Sequence, residues 1–250
     1  MHVSASREAL RGGAIQTAAP RILLIGGEPS STISTCEILE SERYCVVHRT
    51  SGTEGLEAAS QYPPALVILY LTLPDRDGIA VCRTIHTRFS SAILIVSPTH
   101  DEDSLVAMLD SGADDYVYAP VRPDELKARV RALLRRARLP EHVDEILVFG
   151  GLEINVPRRR VSKDGERAQL TRTEFDILLF LARRSDRIQT QEMILKGVWG
   201  PHHGEYVQTL RVHIGHIRRK IERMPSRPQY VVTEPGVGYY FSGSSPGPLT

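Results

Sequence analysis

From Arg21 onward, short apolar runs alternate with stretches whose apolar residues recur at helical spacing. The runs are RILLI (21–25), YCVVH (44–48), LVILYL (66–71), AILIV (92–96) and DYVYA (115–119). The segments between them predict helices over 31–41, 55–61, 79–87, 104–111 and 123–136. Strand and helix alternating five times, with nearly continuous apolar strands, predict an α/β fold. It is a doubly wound, flavodoxin-like sheet of five parallel strands with both faces covered.

The rhythm changes after RRARLPEHVDE (135–145). Short extended pieces follow, punctuated by Gly-Gly and Asp-Gly turns. In LTRTEFDILLFLARR, Thr171 as N-cap and Glu174 three residues later make a capping box, with Phe175, Leu178, Leu179 and Leu181 as the stripe behind it. A second helix is expected in TQEMILKGVW, capped by Thr190, and a third and longer one in YVQTLRVHIGHIRRKIERM. The close, YVVTEPGVGYYF, reads as two strands around a Glu-Pro-Gly turn. Three helices and a hairpin, with the longest helix the most basic, describe a winged helix-turn-helix. On that helix Leu210, Ile214, Ile217 and Ile221 form the buried stripe. Gln208, Arg211, Val212, Gly215, His216, Arg218 and Arg219 are thereby expected on exposed or flanking faces. Arg and Gln read base edges, while Arg and Lys neutralise phosphates. The late triplet Arg218-Arg219-Lys220 is expected to clamp phosphate, because earlier turns meet the bases.

Charge sharpens the division. The whole chain carries +1, but 21–136 holds 12 basic and 16 acidic residues (12 − 16 = −4) and 146–250 holds 16 and 10 (16 − 10 = +6). An acidic module joined to a basic one suits a sensor tethered to a polyanion binder. The three cysteines, Cys36, Cys45 and Cys82, form no CxxC pair and fit a reducing cytoplasm. No apolar run approaches the ~20 residues of a membrane span, and residues 1–20 lack the apolar core of a signal peptide. The chain contains no GxxxxGK[ST], and its one GxSxG match, GSSPG (243–247), falls in a Gly/Ser/Pro-rich C-terminal stretch without the strand and helix that a nucleophile turn needs, which speaks against an enzyme. His202 and His203 are adjacent and point apart, with no third ligand at zinc spacing, so no metal is expected.

These motifs, from about Arg21 to Phe241, resemble OmpR/PhoB-type two-component response regulators, most closely the KdpE branch. Composition marks 1–20 as a flexible tail or a mis-assigned start and 139–145 as a linker, and the resemblance makes 21–138 a receiver-like domain. A winged-helix DNA-binding domain over 146–242 and a C-terminal tail over 243–250 complete it. It implies double-stranded DNA, a second copy of the chain and RNA polymerase as partners. Thr171 and Trp199 would meet phosphates. Gln208, Thr209, Arg211, Val212, His213, His216, Arg218, Arg219 and Lys220 would face the major groove. Thr233 and Gly236 would belong to the wing, which carries Tyr240 where the family often has a basic residue. The receiver's dimer face would comprise Val106, Leu109, Asp114, Asp115, Glu125, Ala128, Arg129 and Arg136. Leu105 replaces a usual basic partner of Glu125.

The receiver's chemistry is where the pattern breaks. Such a site needs two acids to hold Mg²⁺, a nucleophilic aspartate, a Ser/Thr and a Lys. Here the acid pair falls on Gly26 and Gly27, leaving Glu28 beside them. The nucleophile position falls on Tyr70 and the lysine position on Ala119, so that only Ser97 remains. A phenol is a poor nucleophile toward an acyl phosphate at neutral pH. The expectation is a transcriptional regulator acting as a homodimer without aspartyl phosphorylation, Mg²⁺ or another cofactor. Three readings of control stay open: Tyr70 plugs the pocket, the emptied pocket takes a small-molecule ligand, or a partner protein governs the chain.

Overall fold

The computed structural model describes residues 19–99, 102–137, 145–200 and 207–243. The expected tails and most of the linker, as well as His202 and His203, lie outside them. The five parallel strands are β1 (Arg21–Ile25), β2 (Cys45–Arg49), β3 (Leu66–Tyr70), β4 (Ala92–Ser97) and β5 (Asp115–Tyr118). They pair in the order β2-β1-β3-β4-β5. The crossovers are α1 (Pro29–Ser41), α2 (Gly52–Gln61), α3 (Gly78–Arg88), α4 (Glu102–Asp110) and α5 (Pro123–Ala137). The helices α1 to α4 start one to three residues earlier than periodicity predicts, and at two of them the sequence shows why. Pro29 occupies the first turn of α1, where its missing N–H costs nothing, and the Ser51 side chain caps α2 by accepting from Glu54 N. Alternate residues of the central strands feed two cores, one containing Leu23, Val67, Leu69 and Ile93, the other Ile22, Ile68, Leu94 and Val117.

The C-terminal half opens with an antiparallel sheet of β6 (Ile146–Phe149), β7 (Leu152–Asn155), β8 (Arg160–Lys163) and β9 (Glu166–Ala168). Asp164 and Gly165, at φ 52° and 84°, form the two-residue turn between β8 and β9. Next come α6 (Arg172–Ala182), β10 (Gln189–Thr190), α7 (Gln191–Trp199), α8 (Val207–Ile221), β11 (Val231–Glu234) and β12 (Gly238–Phe241). Periodicity could not reveal the two-residue β10, which pairs with β12 as the third strand of the wing. The pairing depends on Gly238, because a β-carbon there would lie 2.1 Å from the Gln189 carbonyl oxygen.

The apolar stripe of α8 (Leu210, Ile214, Ile217 and Ile221) packs with Phe175, Leu178 and Leu181 of α6 into one core. Glu222, just past α8, accepts the backbone N–H groups of Gln229, Tyr230 and Val231 at 2.8–2.9 Å and so fastens the helix to the wing. The capping box at Thr171 and Glu174 forms as predicted, and both residues are buried. Thr171→Ala is expected to lower stability by about 1 kcal/mol, read by denaturant unfolding. An unchanged midpoint would show that the cap contributes nothing.

Candidate nucleic-acid interface and receiver pocket

The sheet topology brings the ends of β1, β3, β4 and β5 to one edge, and with them Gly26, Tyr70, Ser97 and Ala119. Gly26 and Gly27 adopt φ of 77° and 91°, which β-carbon-bearing residues rarely do. The Tyr70 ring lies against Gly27: a β-carbon there would come within 3.0 Å of its Cδ2 and Cε2 atoms. A β-carbon on Gly26 would lie 2.4 Å from Leu73 Cδ2. The Tyr70 hydroxyl reaches Thr35 Oγ1 on α1 at 3.3 Å. Tyr70 and Leu73 thus occupy the volume into which side chains at 26 and 27 would project. Glu28 is exposed and precedes α1. Ser97 is buried, and its hydroxyl accepts from Thr99 N at 3.2 Å. Ala119 offers a methyl that packs on the core. Asp75, in the loop after β3, accepts from Gly52 N, Thr53 N and the Thr53 hydroxyl; that hydroxyl holds its carboxyl down at about 2. The loop is therefore pinned to the start of α2.

The basic helix α8 rests on the receiver. Asp114, beside β5, accepts Thr173 N at 3.0 Å through Oδ1 and Ile93 N at 3.0 Å through Oδ2. The Thr173 hydroxyl donates to the Asp114 carbonyl at 2.9 Å. Thr209 Oγ1 donates to Tyr116 Oη at 3.3 Å, and Val212 packs against the receiver core that includes Leu105, Leu109 and Tyr116. Asp110, at the end of α4, accepts from Arg219 at 2.9 Å and lies 2.8 Å from His216 Nε2, off the line of a hydrogen bond. Arg172 also donates to the Ser90 carbonyl.

Several sequence expectations change here. His216 was expected on an exposed flank but is 4% exposed, wedged between Asp110 and Glu174. Thr209 and His213 are fully buried. Thr171 and Trp199, assigned to phosphates, are buried too: Thr171 caps α6, and Trp199 packs in the core near the His213 ring. The expected phosphate clamp is engaged within the chain. Arg218 donates to Val231 O and Thr233 Oγ1, Arg219 to Asp110, and Lys220 to Glu174. Arg211 is exposed and Gln208 half-buried, while Gly236 turns the exposed wing tip at φ 76°.

The receiver face assigned to dimerisation is also partly occupied. Leu109 and Asp114 are buried against α8 and α6, whereas Val106 remains exposed and Ala128 half-buried. Glu125 does have a mate, since Arg129 donates to it at 2.5 and 3.0 Å and to Asp115 at 3.0 Å. Arg136 lies on α5, and its side chain is outside the described atoms. Asp110, Tyr116, Arg172 and Thr173 escaped sequence reading, because a contact between residues 59 to 109 positions apart leaves no periodic trace. Among the described residues no helix is long and apolar enough to cross a membrane.

Residues 22–131 match the response regulator receiver domain, and residues 165–241 match the C-terminal domain of transcriptional regulatory proteins. The chain is 38% identical to the DNA-binding response regulator MtrA of Mycolicibacterium smegmatis over 225 residues, spanning 90% of this chain and 98% of that one. It is 35% identical to the transcriptional regulatory protein KdpE of Mycobacterium tuberculosis H37Rv over 221 residues, 88% of this chain and 98% of that one. Among solved structures, a point mutant of RitR superposes with a TM-score of 0.72 at 26% identity, covering 90% of this chain and 99% of that one. DrrB, an OmpR/PhoB homologue of Thermotoga maritima, gives 0.50 at 29% identity over the same shares.

If Asp110 helps hold α8 on the receiver, Asp110→Ala should raise DNA affinity by about two- to fivefold, as expected for losing a half-exposed ion pair. A gel-shift titration reads this, and unchanged affinity would show that the contact does not restrain the helix.

Proposed function

The chain belongs to the OmpR/PhoB-type family of DNA-binding transcriptional response regulators, and from that premise we propose that it acts without aspartyl phosphorylation, as a homodimer. The carrying observation is the Tyr70 ring seated against Gly27. Aspartyl phosphorylation needs a carboxylate nucleophile, carboxylates to hold Mg²⁺ and a lysine to balance the phosphoryl charge. At this sheet edge the corresponding positions carry a phenol, two glycines and a methyl. The glycines and the tyrosine fit one another sterically, so they act as one replacement. The plug reading is favoured over a ligand in this pocket because Tyr70 and Leu73 take up its space.

Control then passes to the interface. α8 must leave α4 and β5 before its face can enter a major groove. The departure also uncovers Leu109 and Asp114, which the dimer would use. DNA binding and isologous pairing through the receivers therefore favour the same open state. Arg211 and Gln208 are the side chains proposed to meet base edges, with Arg219 and Lys220 turning to phosphates once released. RNA polymerase is the proposed downstream partner, in the cytoplasm.

Two measurements check this reading. Acetyl phosphate with Mg²⁺ should phosphorylate neither the natural chain nor Tyr70→Asp, because the single reversion restores neither the metal ligands nor the lysine. Phosphate-affinity electrophoresis showing a shifted band for Tyr70→Asp alone would refute the argument. In gel shifts against the chain's own promoter region, affinity should fall steeply with salt. Arg211→Ala should cost about 1–3 kcal/mol and relax sequence preference. Binding that ignores salt, or an Arg211→Ala protein with unaltered preference, would contradict the assignment.

A further inference from the structure

The two histidines of α8 and the capping glutamate of α6 come together in a way the DNA-binding role does not require. His213 and His216 are three residues apart and share a helix face. Glu174 approaches from α6, and one ligand atom from each of the three lies within 4.8 Å of the others. All three are buried, at 0%, 4% and 0% exposure for His213, His216 and Glu174. The Glu174 carboxylate is divided. Oε2 accepts Thr171 N at 2.8 Å and Lys220 Nζ at 2.6 Å, while Oε1 faces His216 Nδ1 at 3.3 Å without hydrogen-bond geometry. Two ligands of a tetrahedral ion with bonds of ~2.0–2.1 Å sit about 3.3 Å apart.

We propose that Glu174, His213 and His216 bind one divalent ion of the Zn²⁺ class, and that this ion holds α8 on the receiver. Two imidazoles and a carboxylate suit a borderline-soft ion that accepts tetrahedral coordination, with the fourth position left to water. The Lys220 ammonium partners Glu174 when no ion is bound; it is partly exposed and can swing to solvent on loading. The second shell is what makes the site regulatory. His216 Nδ1 faces the ion, and its Nε2 lies 2.8 Å from Asp110 of the receiver. Metal-ligating histidines donate their other N–H to a carboxylate, so loading aligns His216 on Asp110 and tightens the domain contact. The consequence for DNA rests on the reading of the chain as a DNA-binding regulator; the ion site itself does not.

The test uses the full chain stripped with EDTA and titrated with Zn²⁺ against a chromophoric chelator. One equivalent should bind. His213→Gln and His216→Gln should each abolish binding, His202→Ala/His203→Ala should keep it, and Asp110→Asn should weaken it about tenfold. Co²⁺ added to the stripped natural chain should give tetrahedral d–d absorption bands, a readout that needs no variant to fold. Absent bands in a chain whose circular dichroism is intact, or binding that follows His202 and His203 instead, overturns the site. In gel shifts, Zn²⁺ should lower DNA affinity several-fold in the natural chain and not in His216→Gln. Stoichiometric Zn²⁺ without that drop overturns the regulatory claim. A failure to shift DNA in either Zn²⁺ or EDTA sinks the DNA-binding reading and leaves the ion stoichiometry standing.

Discussion

The buried carboxylate of Asp114 is the interaction on which the arrangement of the two halves depends. One oxygen accepts the backbone of β4 and the other the backbone of α6 at Thr173, in that helix's first turn. Free N–H groups at a helix start and the positive end of its dipole favour such an anion. The receiver therefore supplies a cap to the DNA-binding half, next to the cap that Thr171 provides from within. Both ends of the contact are excluded from water, where an unpaired carboxylate or N–H would be expensive. Around this point Thr209, Val212, His216 and Arg219 of α8 are drawn onto β5 and α4. The surface that would read DNA and the surface that would pair receivers cover one another in this state.

The opposite edge of the receiver is quiet by comparison. In a working phosphorylation site, charge at the ends of β1, β3 and β5 would be altered by a phosphoryl group and transmitted to the dimer face. Here glycine, tyrosine and alanine stand at those strand ends, and the Tyr70 ring lies against Gly27. The fold keeps its sheet, its crossovers and the loop pinned by Asp75, so the receiver persists as a docking platform.

Much of this was legible in the sequence. The five apolar runs became the five strands to within a residue or so; β1, β3, β4 and β5 are largely buried and need unbroken apolar stretches, while the edge strand β2 is only partly covered. The capping box and the stripe from Leu210 to Ile221 also formed as read, because both depend on residues close in sequence. The tyrosine and the glycines could be placed in one pocket only through the family resemblance, and their mutual fit needed coordinates. The exposure of α8 was misjudged at His216, because helical periodicity reports burial by the helix's own domain. It cannot report burial by the acid of another. Sequence distance hid Glu174, on α6 of the same half, as the neighbour of both histidines, which are 39 and 42 positions away.

The central claim is that movement of α8 no longer answers to the receiver's phosphorylation pocket. Hydrogen–deuterium exchange of the full chain, with and without Mg²⁺ and beryllofluoride, tests it most directly. The account predicts that amides of α8 and α4 exchange at the same rates in both conditions. Faster exchange of α8 on adding beryllofluoride would show that the pocket still binds a phosphoryl mimic and drives the helix off, and would contradict the account.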